Sequence, residues 1–163
     1  MPSIKHFPPV ALAVAVGRLL SGRIRFPKDR IGKLLVMENG EEYSIFSDVQ
    51  VTSSNSLSAE SRTVLKVRFK FDRYPDAVNR RIFLIFTPLI TGMPGFQRKI
   101  WTFCEKSSNY LGIYQFESME LAEEYKASLV MWIIEKRCVP GSISYELLSD
   151  TSIEDYLDNR SEM

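Results

Sequence analysis

The chain has 163 residues, 45% of them AVILMFWYC and 25% DEKR, an ordinary composition for one globular domain. Twenty-one Lys and Arg against twenty Asp and Glu leave a net charge of +1, which argues against a dedicated nucleic-acid binder. A single histidine, His6, and two cysteines leave no residue set for a His-ligated metal centre, a haem-His site or a Ser-His-Asp triad. At this length a fold buries roughly 70% of its unfolded surface, so no metal or disulfide staple is expected. Cys104 and Cys138 lack metal spacing and a His partner, and are expected as reduced, inert thiols in a cytoplasmic protein.

Residues 1–33 carry seven basic side chains against Asp29, a net +6, and residues 150–163 carry five acids against Arg160, a net −4. Ends of opposite sign can attract each other or a neighbouring subunit, and the competing reading is two solvated surface segments. Residues 10–16 are an apolar run far shorter than the ~20 residues of a membrane span. Pro8 and Pro9 suit a helix start, so a short docked helix is expected over residues 9–20. Peripheral membrane contact through residues 9–30, helped by their basic side chains, and a secretory apolar segment are the alternatives. Residues 33–37 and 42–51 read as strands, and the Asn39-Gly40 pair between them predicts a type I′ hairpin turn. The polar, Ser-rich residues 52–61 form a loop or linker that closes an extension over residues 1–62.

From residue 63 the pattern changes. Leu65, Val67, Phe69 and Phe71 alternate with Lys66, Arg68 and Lys70, the two-residue period of a strand with one apolar face. Pro75 opens a helix that runs into the apolar residues 82–90 and breaks near Pro88. A run apolar around the whole helix must be covered, and the helix at 9–20 is expected to dock on it. Strands follow over residues 96–104 and 110–116. Ser118 caps a helix over 119–136, with Leu121, Tyr125, Leu129, Trp132 and Ile133 along its buried face. A last strand spans 142–148, and Thr151 with Glu154 predicts a capping box for a short helix in the acidic tail, 149–163. Residues 63–148 thus read β-α-β-β-α-β, an α+β, ferredoxin-like arrangement of one antiparallel sheet with helices on one face. The other face needs cover. Ile100 beside Trp101 and Phe103 puts apolar groups on both faces of the second strand, so a homodimer through the sheet is expected.

Gly92-Met93-Pro94-Gly95-Phe96, the strand holding Trp101, and Gly112-Ile113-Tyr114-Gln115-Phe116-Glu117-Ser118 leading into Glu120-Leu121-Ala122 resemble the dimeric α+β barrel superfamily. The likeness, over residues 63–148, is to antibiotic-biosynthesis-monooxygenase-type (ABM, YdhR-type) proteins. It implies a pocket between helices and sheet. Some members oxidise polycyclic aromatic substrates there without metal, flavin or haem, and others degrade haem. Oxygenating members carry an Asn and, four residues later, a Trp on the strand before helix two, where this chain has Gly112 and Phe116.

Cofactor-free oxygenation needs a substrate that ionises and reduces oxygen itself, in an apolar cavity with a few polar groups to hold its anion. Catalytic roles fall to Tyr114, Arg98 and Tyr145, and the ligand's walls to Trp101, Phe116, Tyr125 and Trp132. Arg98 and Lys99 have opposite parity on their strand, so one of them is expected to face solvent. The expected ligand is a small aromatic or apolar molecule, with no metal and no cofactor. A non-catalytic binder of an apolar ligand and a membrane-associated or partner-binding protein are the competing readings.

Overall fold

The computed structural model describes residues 8–52 and 62–160. The elements run α1 (Pro8–Leu20), β1 (Ile24–Arg25), β2 (Leu34–Val36), β3 (Glu42–Val51), β4 (Thr63–Lys70), α2 (Asp76–Thr91), β5 (Phe96–Cys104) and β6 (Asn109–Phe116). They continue through α3 (Met119–Lys126), α4 (Leu129–Arg137), β7 (Ser144–Ser149) and α5 (Ile153–Asp158). Most of the Ser-rich linker lies outside the described residues.

The seven strands form one antiparallel sheet in the order β1-β3-β5-β6-β4-β7, with β2 also pairing β3. Its β5-β6-β4-β7 portion has the expected ferredoxin-like order. The extension does not sit apart. β3 pairs along β5 from Ser44↔Phe103 to Gln50↔Arg98, turning what would be an edge strand into an interior one.

Helices α2, α3 and α4 cover one face over a core that includes Leu65, Val67, Phe69, Phe83, Trp101 and Tyr110. The second face is covered within the chain. Ile153, Tyr156 and Leu157 of α5, with Leu35, Tyr43 and Ile45 of β2 and β3, pack on Val64, Ile100, Leu111 and Ile113. The expected homodimer rested on a bare sheet face, and this part of the face is not bare. The charge contrast of the two ends also has a physical counterpart, since Arg30 pairs with Glu154 and Asp158.

Local signals hold with corrections. Ser118 accepts from the Leu121 amide at 3.3 Å, as a cap should. The hairpin forms between β2 and β3, but only Gly40 takes a positive φ (+78°) while Asn39 does not, so the turn is not type I′. Instead Gly40 N–H bonds Met37 carbonyl at 2.9 Å and the left-handed glycine then realigns the strands. Pro88 does not break α2, which continues to Thr91. The capping box is shifted by one residue, to Ser152 with Asp155.

The helix expected over residues 119–136 is two helices, because Ser128 begins a second one by accepting from Met131 N–H at 3.3 Å. That break turns the apolar face. Val130, Met131 and Ile134 are buried, whereas Leu129 and Trp132 are 40% and 54% exposed.

Helix α1 docks on α2, as the apolar run over 82–90 required, through its smallest side chains, Ala11 and Ala15. Small residues let backbones approach, and Gly92 at the end of α2 meets Ala11 so closely that a Cβ there would lie 1.6 Å from the Ala11 carbonyl oxygen. Arg18 donates to the Thr91 carbonyl beside it. The cover is partial, since Leu84 and Ile85 remain 53% and 73% exposed.

Candidate functional site

The sheet register decides which expected site residues meet. Lys99 pairs opposite Tyr114 and Trp101 opposite Gly112, so all four share the face beneath the helices. Gly112 is required there: a Cβ would lie 2.8 Å from Tyr114 Cε2 and 3.2 Å from Trp101 Cζ3. The space a side chain at 112 would need is filled by the Tyr114 phenol and the Trp101 indole. Tyr114 lies 5.1 Å, centroid to centroid, from Tyr125, which is equally close to Phe116. From α2, Phe83 stacks on Trp101 at 4.4 Å. Four of the seven expected residues, Tyr114, Trp101, Phe116 and Tyr125, therefore form one buried cluster.

The other three lie elsewhere. Arg98 is on the opposite sheet face, where it donates to Asp48 from Nε at 3.0 Å and Nη2 at 2.6 Å and pairs with Glu154. Trp132 sits on the outer surface of α4. Tyr145 is half-buried on β7 and donates to Glu135 of α4. Arg98 and Trp132 do not reach the cluster, whereas Tyr145 packs at its margin.

A residue outside the expected set takes the central place. Lys99 is fully buried, donates from Nζ to Tyr114 Oη at 2.6 Å, and holds that nitrogen 3.2 Å from the Trp101 ring centroid. The expectation that Arg98 or Lys99 faces solvent fails because both faces of β5 are covered, one by the helices and the other by α5. Burial alone drives the Lys99 amine well below its ordinary value of 10.5, with no carboxylate to oppose it. Burial likewise raises Tyr114 and, to a lesser extent, the nearby Tyr125 hydroxyl does too. Burial thus disfavours the charged form of both partners. Two further polar atoms of this layer, Trp101 Nε1 and Tyr125 Oη, are buried without a hydrogen-bond partner. A buried donor without a partner, as Trp101 Nε1 is, marks a place where a polar partner belongs.

A buried amine of this kind is a stability cost. Lys99→Met is expected to be more stable by about 1–3 kcal/mol at neutral pH. Between its lowered folded value and the ordinary 10.5, the unfolded chain protonates this lysine while the folded one does not, so the unfolded state binds more protons and stability rises with pH. Urea titrations between about pH 7.5 and 9.5 should show the wild type gaining on Lys99→Met by up to ~1.4 kcal/mol per pH unit. Parallel curves would show that Lys99 does not titrate as a buried neutral group.

Open cavities lie away from this cluster. One of about 420 Å³ is bounded by Tyr43, Lys66, Arg68, Glu146 and Tyr156, its lysine paired with Glu146 and its arginine with Glu41. Another, of about 340 Å³, is bounded by Gln50, Arg62, Arg98 and Gln115. Among the described residues no three His, Cys, Asp or Glu side chains gather as metal ligands. Cys104 and Cys138 are free, and burial pushes the Cys138 thiol up to about 12, far from a reactive thiolate.

Residues 64–143 match the family described as "Putative mono-oxygenase ydhR". Among solved structures, a major regulator of staphylococcal pathogenesis is similar at TM-score 0.54, with 11% identity over 72% of each chain. A ferredoxin-fold protein related to antibiotic biosynthesis monooxygenases, from Listeria monocytogenes, is similar at 0.51, with 13% identity over 85% of this chain and 88% of that one. A heme-degrading enzyme from Listeria monocytogenes is similar at 0.50, with 13% identity over 82% and 91%. At these identities the likeness is one of fold. No curated protein matches the sequence.

Proposed function

We propose that this chain, whose residues 64–143 form a ydhR-family domain, is a monooxygenase-like protein that takes a small ionisable aromatic molecule into its helix–sheet interior and oxygenates it without metal, flavin or haem. The observation that carries the reading is the buried Lys99–Tyr114 pair, set in an aromatic layer with two unpartnered donors. The layer is buried throughout, so a ligand enters only by displacing its side chains.

A phenolic or enolic O–H of the ligand gives its proton to the lone pair of neutral Lys99, either directly or through Tyr114. An ammonium and a substrate anion remain, and the ammonium and the Trp101 and Tyr125 donors hold that anion. The anion passes one electron to O2, the radical pair recombines to a peroxide anion, and the Lys99 ammonium returns its proton to give the hydroperoxide. Loss of water then converts a ring CH2 into C=O, with one oxygen atom in the product and the other in the water. The reduced thiols suit a cytoplasmic setting.

Gly112 and Phe116, in place of the Asn and Trp of oxygenating members, favour the second reading, a binder of the same ligand class without turnover. Dithranol, a flat anthrone with an ionisable CH2, separates the two. The wild type is expected to consume O2 with dithranol at least tenfold faster than Lys99→Met. Saturable binding with no O2 uptake above the buffer rate would leave the binder, and neither binding nor uptake would remove both.

A further inference from the structure

Helix α1 exposes most of what it carries. Val10, Leu12, Val14, Val16, Leu19 and Leu20 are 37–83% exposed, while only Ala11 and Ala15 are buried. Leu84 and Ile85 of the neighbouring α2 add to this apolar surface. At 13 residues α1 is about 20 Å long, and no helix among the described residues is long and apolar enough to cross a membrane. Just after α1 the chain turns at Gly22 (φ +69°) into Arg23, Arg25 and Lys28, all exposed, with Phe26 56% exposed among them. Arg30 is committed to the acidic tail, but Arg23, Arg25 and Lys28 take part in none of the ion pairs among the described residues.

We propose that α1 and residues 23–28 dock the protein on an anionic lipid surface. The valines and leucines of α1 enter the boundary between headgroups and acyl chains, and Arg23, Arg25 and Lys28 meet the lipid phosphates. Charge complementarity selects this occupant over a second copy of the chain, which would bring its own basic segment to the same apolar face. The inference is independent of the oxygenation chemistry, since it uses no residue of the Lys99 layer.

The test is flotation of the full chain with vesicles of phosphatidylcholine plus phosphatidylglycerol, and with vesicles of phosphatidylcholine alone. The mixed vesicles are expected to carry the protein and the neutral ones to leave it behind. Arg23→Gln with Arg25→Gln should weaken binding by about an order of magnitude or more. Leu19→Ser with Leu20→Ser, both at exposed positions, should abolish flotation at an unchanged melting temperature. Absence from the mixed vesicles, or binding indifferent to both double variants, would overturn the proposal. So would a dimer in light scattering that Leu19→Ser with Leu20→Ser dissociates, without lipid binding, because a second copy would then cover this face.

Discussion

Arg98→Met is expected to destabilise the protein by about 3–5 kcal/mol, read as a lowered urea midpoint. The Asp48 side chain is 0% exposed, and its carboxylate oxygens take the two Arg98 donors at 3.0 and 2.6 Å. Removing the guanidinium leaves that carboxylate buried and uncompensated, which is far costlier than losing an ion pair in water. Glu154, the second partner, is 52% exposed on its side chain and adds little. Arg98→Met combined with Asp48→Leu should recover most of the loss, because the buried charge goes with its partner. Equal midpoints for the single and double variants would show that the cost comes from lost packing.

The second large effect is at Gly92. Its φ of −88° is open to any residue, so alanine there adds no backbone strain. Its new Cβ would nevertheless fall 1.6 Å from the Ala11 carbonyl oxygen and 2.9 Å from the Ala11 Cα, and backbone cannot swing aside as a side chain can. Helix α1 must then lift from α2. Gly92→Ala is expected to lose about 1–3 kcal/mol, as overpacked cores do, and to become cleavable by protease within residues 8–20. Gly17→Ala is the control. It has open space around its Cβ site, and should hold or gain stability by roughly 0.5–1 kcal/mol. If Gly92→Ala melts and resists protease like the wild type, α1 is not clamped at this contact.

What was legible in the chain, and what was not, follows from how local each signal is. Alternation at β4, the Ser118 cap and the strand order of residues 63–148 depend on neighbours in sequence, and they hold. So does the attraction of the charged ends, realised as Arg30 with Glu154 and Asp158. Tyr114, Trp101, Phe116 and Tyr125 were chosen as aromatic residues within the likeness over residues 63–148, and the register of β5 with β6 brings the strand residues to one face. Lys99 was missed for a non-local reason. In a bare ferredoxin-like sheet β5 is an edge, and a cation on it can reach water. Here β3 pairs beside β5 and α5 covers the opposite face, an arrangement that no pattern within residues 96–104 announces. The signal that could have exposed Lys99 is two adjacent cations inside a strand, Phe96–Cys104, whose other residues are mostly apolar. Trp132 was misplaced because Ser128 looks like any helix-interior serine until it caps α4.

The central claim is that the layer around Lys99, Tyr114 and Trp101 receives an aromatic ligand. Of the two tryptophans, Trp101 is buried in that layer and Trp132 is exposed on α4, so Trp132→Phe leaves Trp101 as the single indole reporter without disturbing the core. Titrating this variant with dithranol in the absence of oxygen is expected to give saturable quenching of Trp101 fluorescence, weakened when Tyr125→Leu or Lys99→Met is added. Fluorescence that stays flat through the titration, or quenching that both added substitutions leave unchanged, would contradict the account.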